Sequence, residues 1–188
     1  MQVTPTSLPG VLIVEPNIFT DKRGFFMEIY HLRRYTEFGM EPVFVQDNMS
    51  YSVQGTLRAL HYQLPYAQAK LVQVITGTIF DVAVDIRRTS PTFGQWIGVH
   101  LSDENRHQLF IPEGFAHGLC VLSETAYVLY KCTDFYAPDA ERGILWSDPA
   151  LGIDWPVKDP LISPRDSQFP LLRDVSAEFL PVFREKRL

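Results

Sequence analysis

The chain has 188 residues, a formal charge of −5, 46% hydrophobic and 21% charged residues. This balance suits a soluble globular protein long enough to bury a substantial core, and residues 1–188 read as one domain. It argues against a general nucleic-acid binder, whose footprint would be basic, although a few arginines can still hold one anionic ligand. No apolar run approaches the roughly 20 residues needed to cross a bilayer. The first residues, MQVTPTSLPG, have neither a basic start nor an apolar core. No signal peptide is therefore expected, and the expected compartment is the cytoplasm. Cys120 and Cys132 form no metal-type spacing; two buried thiols are expected, with a disulfide between neighbouring strands as the alternative.

In chain order, strand-like segments are predicted at 11–15, 25–30, 43–49, 56–63, 71–76, 78–86, 95–101, 109–111, 115–121 and 127–133. One short helix is predicted at about 31–38, ended by Gly39. Turn signals separate these segments, among them Gln54-Gly55, Thr76-Gly77 and Pro112–Gly114. Regularly spaced short strands without alternating helices predict an all-β fold, with a cupin-like jelly-roll barrel the natural candidate. After Pro138 the chain turns rich in proline and acidic residues but keeps Trp146, Ile153, Trp155 and Leu161. That segment is expected to be ordered, irregular and draped over the barrel.

Three segments concentrate polar groups that could do chemistry. RALHYQ with the following QAK places Arg58, His61, Gln63 and Lys70 within thirteen positions, flanked by apolar strand residues. A lone strand histidine is ordinarily a packed or surface residue, but burying so many polar groups is costly unless they meet partners or a ligand. Arg58 and His61 are three apart, so in a regular strand they face opposite ways, and one pocket can hold both only through a bulge or a rim position for Arg58. IPEGFAHGL brackets His117 with glycines, and YKCTDFYAPDAE carries Tyr130, Tyr136 and Glu141. Taken alone, Tyr130 reads as a barrel tyrosine with its hydroxyl at the rim. Upstream, DKRGFFME and FVQDN add Arg23, Glu28, Gln46, Asp47 and Asn48. An arginine fork suits a diphosphate, and the amides suit a base or a ribose. A metal is not expected: His61 is followed by Tyr62-Gln63 rather than forming an HxH pair, and His117 has no neighbouring ligand.

Taken together, DKRGFF, FVQDN, LRALHYQ, FDVAVDIR, IPEGFAHG, YKCTDFYAP and GIDWP resemble, in order, the dTDP-4-dehydrorhamnose 3,5-epimerase family. The resemblance implies a cupin homodimer acting without a cofactor on dTDP-4-dehydro-6-deoxy-D-glucose. It implies His61 as base, Asp166 as its carboxylate partner, Tyr130 as proton donor and Lys70 beside the keto oxygen. It further implies substrate contacts from Arg23, Glu28, Gln46, Asp47, Asn48, Arg58, Lys70, His117, Glu141 and Arg165, with Tyr136 stacking on thymine. Two departures stand out: Ala59 replaces the glycine usual beside the base, and Arg165 stands where lysine is common. The 11–15 strand, in GVLIVEP, is a candidate to pair across the dimer.

These groups suit the reaction. A C4 ketone acidifies the C–H bonds at C3 and C5, so one base and one enolate stabiliser can serve both centres. The alternatives are a C3-only epimerase, a 4-keto sugar nucleotide isomerase and a non-catalytic sugar-nucleotide binder.

Overall fold

The computed structural model describes residues 1–40 and 43–184. Its strands, in chain order, are β1 (Gln2–Pro5), β2 (Leu12–Glu15), β3 (Ile18–Asp21), β4 (Gly24–Met27), β5 (Gln46–Val53), β6 (Thr56–Gln63) and β7 (Lys70–Thr76). They continue as β8 (Thr78–Asp85), β9 (Trp96–Ser102), β10 (Gln108–Ile111), β11 (Phe115–Val121), β12 (Thr125–Cys132), β13 (Glu141–Gly143) and β14 (Leu161–Ile162). The helix α1 spans Leu32–Thr36 and stops at Gly39, whose φ of +77° is the left-handed conformation that ends helices. No helix among the described residues is long and apolar enough to cross a membrane.

One sheet runs β1-β2-β10-β7-β12-β5, and a second runs β13-β6-β11-β8-β9. All their pairings are antiparallel except that of β14, which joins the start of β6 in parallel. β3 and β4 form a separate hairpin. All ten segments expected as strands contain one, with ends displaced by a few residues. β2 lies between β1 and β10, so the N-terminal strand proposed for pairing across a dimer already has both edges occupied.

Alternation along the strands decides what lies between the sheets. Val72 and Val74 of β7, Ala126 and Val128 of β12, Leu109 and Ile111 of β10 point inward to meet Ile79, Ala83, Leu101, Phe115, Leu119 and Val121 of the second sheet. The opposite face of that second sheet carries Leu57, Leu60, Tyr62, Phe80, Val82, Val84 and Cys120. Ile144, Trp146, Leu151, Ile153, Trp155, Leu172 and Leu180 cover it, so the proline-rich segment is an outer apolar layer, as its composition suggested. Cys120 and Cys132 are both buried and free, on different faces.

Candidate active site

The interior that is apolar at one end is polar at the other. On β7 the inward series Val74, Val72 ends at Lys70; on β12 the series Val128, Tyr130, Cys132 runs the same way, registered against Asn48 and Gln46 of β5. A cavity of about 290 Å³ opens there, lined by Gln46, Asn48, His61, Lys70, Tyr130 and Glu141 among others. A second hollow of about 410 Å³ adjoins it, lined by Arg58, Ser163, Arg165 and Asp166, and shares His61 and Glu141.

A bulge on β6 lets Arg58 and His61 serve the same place. His61 registers with His117 and Arg58 with Leu119, so three steps on β6 oppose two on β11. The extra residue reverses the alternation, and both side chains reach the second hollow. Gly118 faces this crowded point; a Cβ there would lie 2.5 Å from that of Ala59. Arg58 donates from Nε to Ser52 Oγ at 3.1 Å.

His61 Nε2 lies 3.0 Å from Asp166 Oδ2. The same oxygen accepts the Ala59 N–H at 3.3 Å, and the Asp166 N–H donates to Ser163 Oγ. Burial works to raise the Asp166 carboxyl, but its bonds to His61, Ser163 and Ala59 outweigh this and hold it below the usual carboxylate range. Across the cavity, burial pulls the Lys70 ammonium below its ordinary value, against the opposing acidic groups Cys132, Asp81 and Glu141. Its Nζ stands 5.9 Å from the centre of the Tyr130 ring. Burial raises the Tyr130 phenol, so it stays protonated at neutral pH.

At the rim, Glu141 Oε2 accepts from Tyr136 Oη at 2.6 Å and pairs with Arg165 at 2.7 Å. Gln46 accepts the Tyr136 N–H at 2.9 Å and donates to Asn48 at 2.9 Å. Asp47, between two inward residues, points the other way and binds Lys131 at 2.8 Å. His117 faces inward but is held by Asp81, Nε2 to Oδ1 at 2.8 Å; burial lowers its pKa against the pull of that carboxylate. Asp81 was not singled out in the sequence, where FDVAVD reads as ordinary strand; its partner across β11 is visible only in register. Arg23 and Glu28 line neither cavity: Arg23 sits on the β3–β4 hairpin bonded to Asp21, and Glu28 pairs with Arg34. Among the described residues, no three His, Cys, Asp or Glu side chains converge as metal ligands.

An inward histidine–carboxylate pair, a buried lysine and a protonated tyrosine around one cavity define a site for proton transfer at carbon. The family model for dTDP-4-dehydrorhamnose 3,5-epimerase matches residues 5–174. The dTDP-4-dehydrorhamnose 3,5-epimerase of Shigella flexneri is 58% identical over 168 residues, covering 88% of this chain and 93% of that protein. That of Pseudomonas aeruginosa is 56% identical over 170 residues, covering 89% and 94%. The crystal structure of the Legionella pneumophila 3,5-epimerase in complex with dTDP-4-keto-L-rhamnose superposes with a TM-score of 0.96 at 50% identity, covering 98% of this chain and 99% of that one. The chain belongs to the dTDP-4-dehydrorhamnose 3,5-epimerase family.

Proposed function

We propose that the chain inverts C3 and C5 of dTDP-4-dehydro-6-deoxy-D-glucose to give dTDP-4-dehydro-L-rhamnose, in the biosynthesis of dTDP-L-rhamnose. The observation that carries this reading is the His61–Asp166 pair opening on a cavity whose far wall holds Lys70 and Tyr130. A carboxylate only accepts, so Nε2 keeps its proton toward Asp166 and Nδ1 is the free base. Asp166 then stabilises the imidazolium formed when His61 takes the proton beside the C4 ketone. Lys70 stands ready for the developing enolate oxygen, and Tyr130 returns a proton from the other side. Arg58 and Arg165 suit the diphosphate, and Tyr136, Gln46 and Asn48 suit the nucleoside; His117 lines neither hollow and is held by Asp81. No cofactor enters this scheme.

We read the two sheets as a cupin-like jelly roll forming one domain, and the functional unit as a homodimer. The outer face of β5, β7 and β12 is apolar and open, with Met49, Tyr51, Val53, Ile75 and Tyr127 exposed. A second copy also gives Arg23 and Glu28 a place, since neither reaches the cavity of its own chain.

The test is incubation with dTDP-4-dehydro-6-deoxy-D-glucose in D2O, followed by NMR. Deuterium should enter C3 and C5 with formation of the L-rhamno product; entry at C3 alone would identify a C3-only epimerase. His61→Ala should abolish exchange and inversion together. Tyr130→Phe should keep exchanging through His61 while inversion falls about 10²–10⁴-fold, the usual range for a general acid. Inversion at the wild-type rate in Tyr130→Phe would move the donor role elsewhere.

A further inference from the structure

Gly143 of β13 registers directly opposite His61 of β6. A Cβ at Gly143 would collide with the ring of Phe169, so that ring occupies the space which the glycine leaves. The ring centre lies 5.7 Å from that of the His61 imidazole with the planes 79° apart, the perpendicular arrangement that aromatic pairs favour. Phe169 also closes the 3₁₀ turn, Asp166–Gln168, that carries the carboxylate bound to His61. On its far side the turn is tied down by the Leu145 N–H donating to Pro170 O at 2.8 Å. The Arg165 guanidinium stands 5.8 Å from the Phe169 ring while it pairs with Glu141.

A histidine base needs its ring plane fixed as well as its hydrogen bond, because rotation about χ2 carries both nitrogens off target. Asp166 grips one edge of the imidazole, and one hydrogen bond leaves rotation about its own axis free. The perpendicular Phe169 ring removes that freedom. We infer that Phe169, seated in the notch left by Gly143, is a positioning residue that holds the His61–Asp166 pair in its working orientation. This rests on the reading of His61 as the base. The device joins three parts of the chain, none of which marks it in sequence: a strand glycine, a strand histidine and a phenylalanine in an irregular turn.

The test compares steady-state kinetics of full-length Phe169→Leu, Phe169→Tyr and Gly143→Ala, with Asp166→Asn alone and combined with Phe169→Leu. Phe169→Leu should lower kcat about tenfold with KM held within about twofold, the pattern of a misplaced catalytic group rather than of lost binding. Phe169→Tyr keeps the ring and should restore kcat to within about twofold of wild type. Gly143→Ala should reproduce the loss although Phe169 is still present, because its methyl group takes the ring's place. Added to Asp166→Asn, Phe169→Leu should cost nothing more, as expected of residues acting as one unit. Wild-type kcat in Phe169→Leu overturns the inference. So does a loss that multiplies in full onto that of Asp166→Asn, or one confined to KM. Should Gly143→Ala fail to fold, the Leu and Tyr variants decide. A slow Asp166→Asn beside a fast Phe169→Leu removes Phe169 alone, whereas a fully active Asp166→Asn removes the base-and-orienter reading as well.

Discussion

Lys70 shows how function and stability oppose one another at a single residue. Burial favours its neutral form, and the folded-state pKa lies below the ordinary lysine value. Below that folded value the ammonium is charged in both states, so the native state bears the whole cost of desolvation. Replacing it with an apolar chain of similar length removes the cost together with the group proposed to stabilise the enolate. Lys70→Met is therefore expected to raise Tm while turnover falls about 10²–10³-fold, the usual loss for one oxyanion donor. Thermal unfolding and a turnover assay on the same sample check both halves. Of the site residues, His61 and Lys70 were legible because, with Arg58 and Gln63, they crowd polar groups among apolar strand residues where burial is costly. Tyr130 alone reads as a rim tyrosine, and its role came from the resemblance. Asp47 illustrates the limit: it belongs to the same motif as Gln46 and Asn48, yet alternation turns it outward to Lys131. Asp166 was placed only by resemblance, since nothing local in SPRDSQ announces a buried carboxylate.

At the scale of elements, most strands that border a core were legible, and so was β4, whose residues are mostly exposed. β6 and β11 match their expected limits because they are mostly buried; β11, buried at all seven positions, reads as a near-continuous apolar run rather than an alternation. β3 has all four residues exposed, so no periodicity distinguishes it from a loop. β13 and β14, of three and two residues, are too short for any pattern. The connection after β8 depends on Asp85, which is fully buried. It accepts from the Arg87 backbone and guanidinium, Ser90 Oγ and Thr92 Oγ1 at 2.6–3.0 Å. Burial raises its carboxyl, but these bonds prevail and lower it below the ordinary value. The stabilisation is therefore complete above the unfolded pKa of about 3.9 and drains away as pH falls through the folded one. Asp85→Ala should cost about 3–5 kcal/mol at neutral pH, the range for stranding a buried charge. In urea unfolding, its deficit against wild type should shrink below about pH 4. A pH-independent deficit would mean that packing, not charge, explains the loss.

For the whole molecule, the open apolar face over β5 and β12 bears on assembly. Tyr51 and Tyr127 pack there with ring centres 4.9 Å apart and planes tilted by 50°, and Met49 is 67% exposed. Light scattering at micromolar concentration should give the mass of two chains. Met49→Asp combined with Tyr51→Asp should give one chain and, on the proposal that Arg23 and Glu28 serve the neighbouring cavity, a higher KM. A monomeric wild type would leave the face without this partner. Dialysis against a strong chelator should leave turnover unchanged; loss that returns with a divalent ion would require a ligand set outside the residues named here.

The segment from Ile144 to Leu180 does two jobs that many enzymes divide. It shields the outer face of one sheet from water, and it carries Asp166 to His61. Natural selection therefore has no separate handle on the two. A substitution near the Asp166–Gln168 turn that tightens the shield is expected to shift the carboxylate as well, and one favoured for speed to alter the shield. Lineages adapting to heat and lineages adapting to flux should accumulate changes in the same short stretch, and ancestral variants there should trade melting temperature against turnover along a single line.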